Sequence, residues 1–183
     1  MKNHADALVQ RTECCPLLRL RNVNDWVKDT ELRVLNRSVL DDPTFFTSPG
    51  GATKHHDYEH GLVIHVEEVM QNVLKMTQFN PSCELATAVI WHDYMKTADY
   101  GLDAENKVVK LPYRKMIGHL PGSAMEFHRQ AYGKIPLGQL ERIEHLLLSH
   151  HGRREWGSPV EPATAEAFIL HAADMMSAHG VNL

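Results

Sequence analysis

The sequence contains few cysteines and no long apolar run. Only Cys14, Cys15 and Cys83 occur among 183 residues, and none of them forms the CxxC spacing of a zinc ribbon. A disulfide framework is therefore not expected. No apolar stretch approaches the roughly 18 residues that cross a membrane, and Met1 to Gln10 lack the apolar core of a secretory signal. We therefore expect a cytoplasmic protein that does not contact membranes.

The sequence also lacks an excess of basic residues. Lys and Arg number 19 against 23 Asp and Glu, which gives a net charge of −4 with neutral histidines. This balance argues against a broadly basic surface for nucleic acid. Histidine, in contrast, is abundant, with 13 residues spread along the chain rather than gathered in a tag. Because histidine is the commonest metal ligand, the excess indicates a metal site.

The apolar residues recur mostly at helical spacing, so the sequence predicts a succession of helices. Loops are predicted at 43–56 and 97–117, with a short hairpin around Lys107 to Leu111. Residues 1–24 are predicted to be an irregular N-terminal arm, docked on a domain of residues 25–183. With no repeat or linker, the predicted fold is one all-α bundle. Its helices are predicted at 25–41, 57–78, from Asn80-Pro81 onward, 123–132, 137–149 and 162–178.

The central motif is His92-Asp93, which ends an apolar helical run. His65, His151 and Asp174 lie on or beside the apolar stripes of three other predicted helices. A lone histidine on such a face is usually a core residue with a hydrogen-bond partner. Four or more such positions, two of them paired with carboxylates, instead favour a rigid metal site built from several helices.

The ligand types indicate which metal and which chemistry to expect. Imidazole and carboxylate without thiolate favour Mn, Fe, Ni, Co or Zn, with Mg less favoured. Two adjacent ions would need a bridging oxygen ligand, and Asp93 is the natural candidate. Two divalent ions carry four positive charges, and Asp93 and Asp174 neutralise two of them. Such a site attracts an anion and activates water at neutral pH, so a metal-bound hydroxide attacking a phosphate ester is expected.

The order His65, His92-Asp93, Asp174 resembles the H…HD…D series of the HD-domain phosphohydrolase superfamily. Lys96 lies three residues after Asp93, where that family has the lysine of its HDxxK motif. The resemblance covers about residues 43–178, and its specificity comes from the ordered set of motifs rather than from the HD dipeptide.

Further motifs narrow the resemblance. The histidines between HD and the last aspartate, His119, His150 and His151, are similar to the extra ligands of HD-GYP-type phosphodiesterases, which bind a second metal. The chain is more closely similar to the HD domain of YhaM-type 3′-5′ exoribonucleases. This similarity is carried by His55-His56, Gly61-Leu62-Val63-Ile64-His65, Gly118-His119, Leu148-Ser149-His150-His151-Gly152 and Glu155-Trp156-Gly157-Ser158-Pro159.

The resemblance implies a single helical HD-domain bundle with two ions per chain. Asp93 would bridge the ions, and Lys96 would share its catalytic role by stabilising charge on the phosphoryl oxygens. The implied ligands are His65, His92, Asp93 and Asp174 for one ion, and His119, His150 and His151 for the other.

Two further residues are candidates for substrate binding. His56 precedes the first ligand helix and could contact a substrate phosphate. Arg153 follows His151 closely and could bind a phosphate in bidentate fashion. The alternative for each is a solvated residue in a loop.

The resemblance does not fix the substrate. The exonucleases resemble a fusion with an N-terminal OB-fold that holds single-stranded nucleic acid, whereas about 24 residues precede the first helix predicted here. The Gly-Tyr-Pro segment of the HD-GYP group is absent. We expect a phosphodiesterase acting on nucleotides or nucleic-acid ends. The alternatives are a nucleotide phosphomonoesterase and a non-catalytic, metal-stabilised regulatory domain. The sequence does not indicate an oligomeric state.

Overall fold

A computed structural model describes residues 16–52, 55–181 and 183. The fold is all-α, as predicted. The small hairpin begins at Tyr100 rather than near Lys107. Among the described residues, no helix is long and apolar enough to cross a bilayer. The helices are α1 (16–26), α2 (Thr30–Leu40), α3 (Pro43–Thr47), α4 (Gly61–Met76), α5 (Cys83–Trp91), α6 (Lys96–Asp99), α7 (Tyr113–Met116), α8 (His119–Ala131), α9 (Leu137–Ser149) and α10 (Ala165–Ala178). Strands β1 (Tyr100–Leu102) and β2 (Val108–Lys110) pair antiparallel.

Helix α5 lies at the centre of the bundle, in contact with α2, α4, α9 and α10. Every residue from 85 to 91 is buried, which is typical of a helix that is apolar on all sides. The indole N–H of Trp91 donates to Asn36 on α2 at 3.1 Å, so the one polar atom of this ring is satisfied. Because α5 is central, its C-terminal end places His92-Asp93 in the interior.

The secondary structure predicted for residues 16–41 was wrong at two points. Residues 16–24, predicted as irregular, are helical, and their Leu20 and Val23 are buried in the common core. The helix predicted at 25–41 is divided, because Asp29 caps α2 by accepting the backbone N–H groups of residues 31 and 32. Residues 1–15 of the predicted arm lie outside the described part of the chain.

Other helix starts also differ from the predictions. A short helix, α3, lies in the predicted loop 43–56, and α6 and α7 lie in the predicted loop 97–117. Helix α5 is capped by Ser82, which accepts the N–H of Leu85, rather than by Asn80. The starts of α4 and α10 each fall a few residues later than predicted. Helix α8 begins at His119 rather than near residue 123, which places His119 in the rigid first turn of a helix.

Gly152 connects α9 to the loop that follows it. Its φ of +82° lies in the left-handed region, and a Cβ atom there would overlap the imidazole of His171. That imidazole donates through Nδ1 to the backbone carbonyl of His150 at 2.8 Å. Close packing at Gly152 therefore helps to fix the turn that carries His150.

Gly152→Ala is expected to lower the free energy of unfolding by about 2–5 kcal/mol, the sum of the left-handed penalty and overpacking. Gly133 is the matched control, since its φ is +76° and no described heavy atom lies within 4 Å of a Cβ built there. Gly133→Ala should cost only about 1 kcal/mol. Urea unfolding of the two variants measures the difference, and equal losses would contradict the clash with His171.

Candidate metal centre

A first group of ligand atoms joins α4, the end of α5 and α10. Nε2 of His65 lies 3.2 Å from Oδ2 of Asp93 and 3.1 Å from Oδ1 of Asp174. Nε2 of His92 lies 3.4 Å from Nε2 of His65 and 3.3 Å from Oδ2 of Asp93. These four residues are buried. Such spacings are those expected between ligands that each lie roughly 2.0–2.2 Å from one ion.

A second group joins the first turn of α8 to the end of α9. Nε2 of His119 lies 3.3 Å from Nε2 of His151 and 3.5 Å from Oδ1 of Asp93. Nε2 of His150 lies 3.7 Å from the same Asp93 oxygen. The three histidines place one ligand atom each within 4.8 Å of one another. The structure thus brings the seven predicted metal ligands together as two adjoining groups.

The carboxylate of Asp93 divides its oxygens between the two groups. Oδ2 faces His65 and His92, and Oδ1 faces His119 and His150. Oδ1 of Asp93 and Nε2 of His150 are buried, and neither has a hydrogen-bond partner among the described residues. Leaving such atoms unsatisfied is costly. A cation between them would satisfy both, so these residues fit a pair of ions that share Asp93.

Backbone carbonyls fix the tautomer of three of these histidines. A carbonyl oxygen only accepts, so each Nδ1 carries the hydrogen and each Nε2 keeps the lone pair that a metal requires. In each case Nδ1–H donates to a backbone carbonyl. His92 donates to Val89 at 2.8 Å, His150 to Leu147 at 2.7 Å and His151 to Trp156 at 3.0 Å.

Side chains that the sequence analysis did not identify orient the other two histidines. Nδ1–H of His65 donates to the hydroxyl of Ser177 at 2.9 Å, and that hydroxyl donates to Glu68 at 2.7 Å. Nδ1–H of His119 donates to Oδ2 of Asp99 at 3.0 Å. Histidine ligands of metals are commonly oriented in this way. No spacing in the sequence marks these contacts, because His65 and Ser177 are 112 residues apart.

The electrostatics keep the second group neutral. Burial lowers the pKa of His119 and His150, and it lowers the pKa of His151 to about 4. Neutral imidazole is the form that binds metal. Burial also disfavours the charged form of His65, but its bonds to Asp174 and Asp93 outweigh burial and raise its pKa.

Lys96 links the metal centre to a cavity. Its Nζ lies 2.6 Å from Oδ2 of Asp93, and the side chain is nearly buried. Burial disfavours the ammonium, but the carboxylates of Asp93 and Asp174 outweigh it and raise the pKa of Lys96. Burial also opposes the charge of Asp93, yet Lys96 and His92 hold the pKa of that carboxyl well below its usual range.

The cavity has a volume of about 440 Å³ and is lined by one residue of each ligand group, Asp174 of the first and His151 of the second. His55 lines it, whereas His56 faces away and places Nε2 3.2 Å from Oε2 of Glu68. Arg153 is exposed, and its guanidinium lies 5.0 Å from the centre of the Trp156 ring at the cavity wall. Neither His56 nor Arg153 lies in the two groups that adjoin Asp93. His55, His56 and His65, however, place one ligand atom each within 4.8 Å of one another. The lining residues are His55, Lys96, His151, Trp156, Asp174, Met175, Ala178 and His179.

The sequence was compared with models of known protein families. The family model described as HD domain matches residues 62–179, which is more than half of the chain. The chain belongs to the HD domain family. The match extends from the start of α4 to just beyond α10 and so includes all seven residues of the two ligand groups.

The relatives of this HD domain include several proteins named 3′-5′ exoribonuclease YhaM. The protein of Geobacillus sp. (strain WCH70) is 32% identical over 146 residues, which are 73% of this chain and 42% of that protein. The protein of Listeria monocytogenes serotype 4b (strain CLIP80459) is 31% identical over 160 residues, 83% of this chain and 50% of that protein. The protein of Shouchella clausii (strain KSM-K16) is 27% identical over 184 residues, which are 96% of this chain and 57% of that protein.

This HD domain spans about half the length of the relatives it matches. No match was found among solved structures.

Asp99 is expected to position His119 for metal binding, since its Oδ2 accepts both the backbone N–H and the Nδ1–H of that residue. Asp99→Ala should weaken binding of one of two Mn²⁺ ions by about 10–100-fold, in line with the loss of such supporting bonds elsewhere. Asp99→Asn is the control, because its amide oxygen can still accept. Calorimetric titration of the ion-free proteins with Mn²⁺ measures the affinity of both variants. An unchanged Mn²⁺ affinity in Asp99→Ala would contradict this role.

Proposed function

We propose that this HD domain is a metal-dependent phosphodiesterase that acts on nucleotides or nucleic-acid ends. The observation that carries the proposal is the division of the Asp93 carboxylate between two groups of histidines. Two divalent ions could share this carboxylate at the short separation used by two-metal hydrolases of phosphate esters. The absence of thiolate from both groups favours Mn, Fe, Ni, Co or Zn, with Mg less favoured.

The charge of the proposed centre suits an anionic substrate. Two divalent ions and the Lys96 ammonium carry five positive charges, while Asp93 and Asp174 supply two negative ones. The centre therefore keeps a net charge of about +3, which attracts a phosphate ester. When bound, the ions supply Lewis acidity and an activated water at neutral pH.

The side chains of the site would then have distinct roles. Asp93 holds both ions, and Lys96 directs its ammonium to where charge develops on the phosphoryl oxygens. Met175 and Ala178, which lie on α10 with Asp174, add apolar surface to the cavity. Of the two residues first proposed to bind substrate, Arg153 stays a candidate at the mouth of the cavity. His56 is better placed to support Glu68, and His55 takes its place at the cavity wall.

The names of the relatives support a nucleic-acid end as substrate, since they are 3′-5′ exoribonucleases. The low overall charge of −4 agrees with a site that takes one chain end rather than a surface that covers a duplex. We further propose a cytoplasmic location.

The test is a hydrolysis panel on protein loaded with Mn²⁺. We expect bis-p-nitrophenyl phosphate to be hydrolysed faster than p-nitrophenyl phosphate, a 5′-labelled single-stranded RNA to be shortened from its 3′ end, and EDTA to abolish both reactions. Hydrolysis of the monoester alone would replace the proposal with a phosphomonoesterase. Bound metal without hydrolysis of any ester would indicate a regulatory domain.

A further inference from the structure

We infer that Trp156, together with Arg153, receives one unpaired nucleobase of the substrate beside the metal centre. The inference deepens the proposed function and rests on it. It assigns a specificity-determining role to a residue that belongs to neither ligand group. The chemical class that it implies is a nucleotide unit with a free aromatic face, rather than a small phosphate ester.

The indole of Trp156 is exposed at the cavity despite its size. Its relative exposure is 47%, and it forms the cavity wall together with Lys96 and Asp174. The centre of the His171 ring lies 6.1 Å from that of the indole, at a tilt of 34°. A substrate phosphate beside Lys96 would therefore place its attached nucleoside within reach of an aromatic surface.

The backbone holds Trp156 rigidly at this position. It ends a 3-10 turn, and Gly157 follows in the left-handed region with a φ of +93°. The Trp156 carbonyl accepts the Nδ1–H of His151 at 3.0 Å, so the same residue orients a metal ligand through its backbone. Ser158 closes the turn by donating its N–H to the carbonyl of Arg153 at 3.2 Å. The backbone of Trp156, from which the indole projects, is thus fixed relative to His151 in the second group of ligands.

Arg153 adds positive charge to this aromatic surface. Its guanidinium lies 5.0 Å from the centre of the indole, within the range of a cation–π contact. Aromatic rings combined with basic groups are the usual means of holding single-stranded nucleic acid, because each base offers a face and each linkage a charge. The cavity of about 440 Å³ suits one nucleotide unit. In a duplex the base faces are already covered, so the base received here is an unpaired one.

The experiment compares two diesters that have the same leaving group, thymidine 5′-(p-nitrophenyl phosphate) and methyl p-nitrophenyl phosphate. Trp156→Ala should raise KM for the thymidine ester about tenfold, since a stacked base contributes about 1–3 kcal/mol. The methyl ester should change less than twofold, because the Trp156 carbonyl and its bond to His151 remain. Trp156→Phe should restore most of the affinity for the thymidine ester. Trp26→Ala is the matched control, since Trp26 is exposed and lines a different cavity.

The outcomes separate this inference from the proposed function. An unchanged KM for the thymidine ester in Trp156→Ala, or equal loss with both esters, would overturn the inference and leave the proposed function intact. If the parent protein hydrolysed neither ester, the proposed function would fail. Binding of fluorescein-labelled oligoadenylate would then decide the inference: weaker binding by Trp156→Ala would support it, and equal binding would overturn it.

Discussion

Replacing Asp93 with alanine is expected to abolish binding of both ions and to lower kcat/KM for a phosphodiester on the order of 10³-fold or more. The physical reason is that this one carboxylate faces both ligand groups through different oxygens. Loss of a shared ligand removes the several kcal/mol of transition-state stabilisation that bound metal supplies. Metal analysis and initial rates on bis-p-nitrophenyl phosphate measure the two effects.

The same substitution is expected to destabilise the fold, so stability must be measured beside activity. It leaves the ammonium of Lys96 buried without the carboxylate that lies 2.6 Å from it. Removing one partner of a buried ion pair costs about 3–5 kcal/mol. The double variant Asp93→Asn with Lys96→Met removes both charges at similar volume and should recover much of this loss. If the double variant folded stably and still bound two ions, Asp93 would not be the shared ligand.

Replacing Lys96 with methionine is the second large expected effect. We expect kcat to fall about 10²–10³-fold, the usual cost of losing a charged group that faces the transition state. Both ions should remain, because Lys96 carries a positive charge and is not a ligand. The pKa of Lys96 is raised by Asp93 and Asp174, which outweigh burial, so its charge is present throughout the neutral pH range.

The controls for Lys96 follow from its position. Lys96→Arg keeps the charge and should retain more activity than the methionine variant. Lys75 is an exposed lysine in the last turn of α4, and Lys75→Met tests the loss of one charge away from the site. An unchanged kcat in Lys96→Met, with metal content equal to that of the parent, would contradict a catalytic role for this ammonium.

The ordered motifs could be predicted from the sequence because the proposed metal ligands occupy positions on or next to helices that the local pattern reveals. His65 lies within the apolar stripe of α4, and His92-Asp93 ends an apolar helix that becomes the centre of the bundle. The range predicted for α9 is also confirmed at 137–149, since an uninterrupted helical pattern needs no tertiary contact to define it.

The supporting contacts could not be predicted, because they depend on how helices pack. Ser177 on α10 reaches His65 and Glu68, which both lie on α4, only because α10 packs against α4. Asp99 approaches His119 only after the hairpin returns the chain. The predictions of helix starts failed for a related reason. Several residues near each start can act as caps, and packing selects among them, as with Ser82 instead of Asn80 before α5.

The direction of the His56 side chain also depends on the folded structure and could not be predicted from the sequence. The sequence places two histidines side by side before α4, and nothing in it distinguishes which one faces the cavity. The backbone at His56 adopts a positive φ of 53°, and its imidazole is directed to Glu68. His55 consequently takes the position at the cavity wall, where burial lowers its pKa to about 4. His55 would therefore face a substrate as a neutral imidazole at pH 7.

The number of metal ions bound per chain tests whether Asp93 joins two ions. The ion-free protein would be loaded with Mn²⁺, desalted, and measured for manganese by mass spectrometry against the protein concentration. The division of the Asp93 carboxylate predicts two ions per chain. A saturating value of one ion per chain would contradict the account, because one of the two histidine groups would then have no metal.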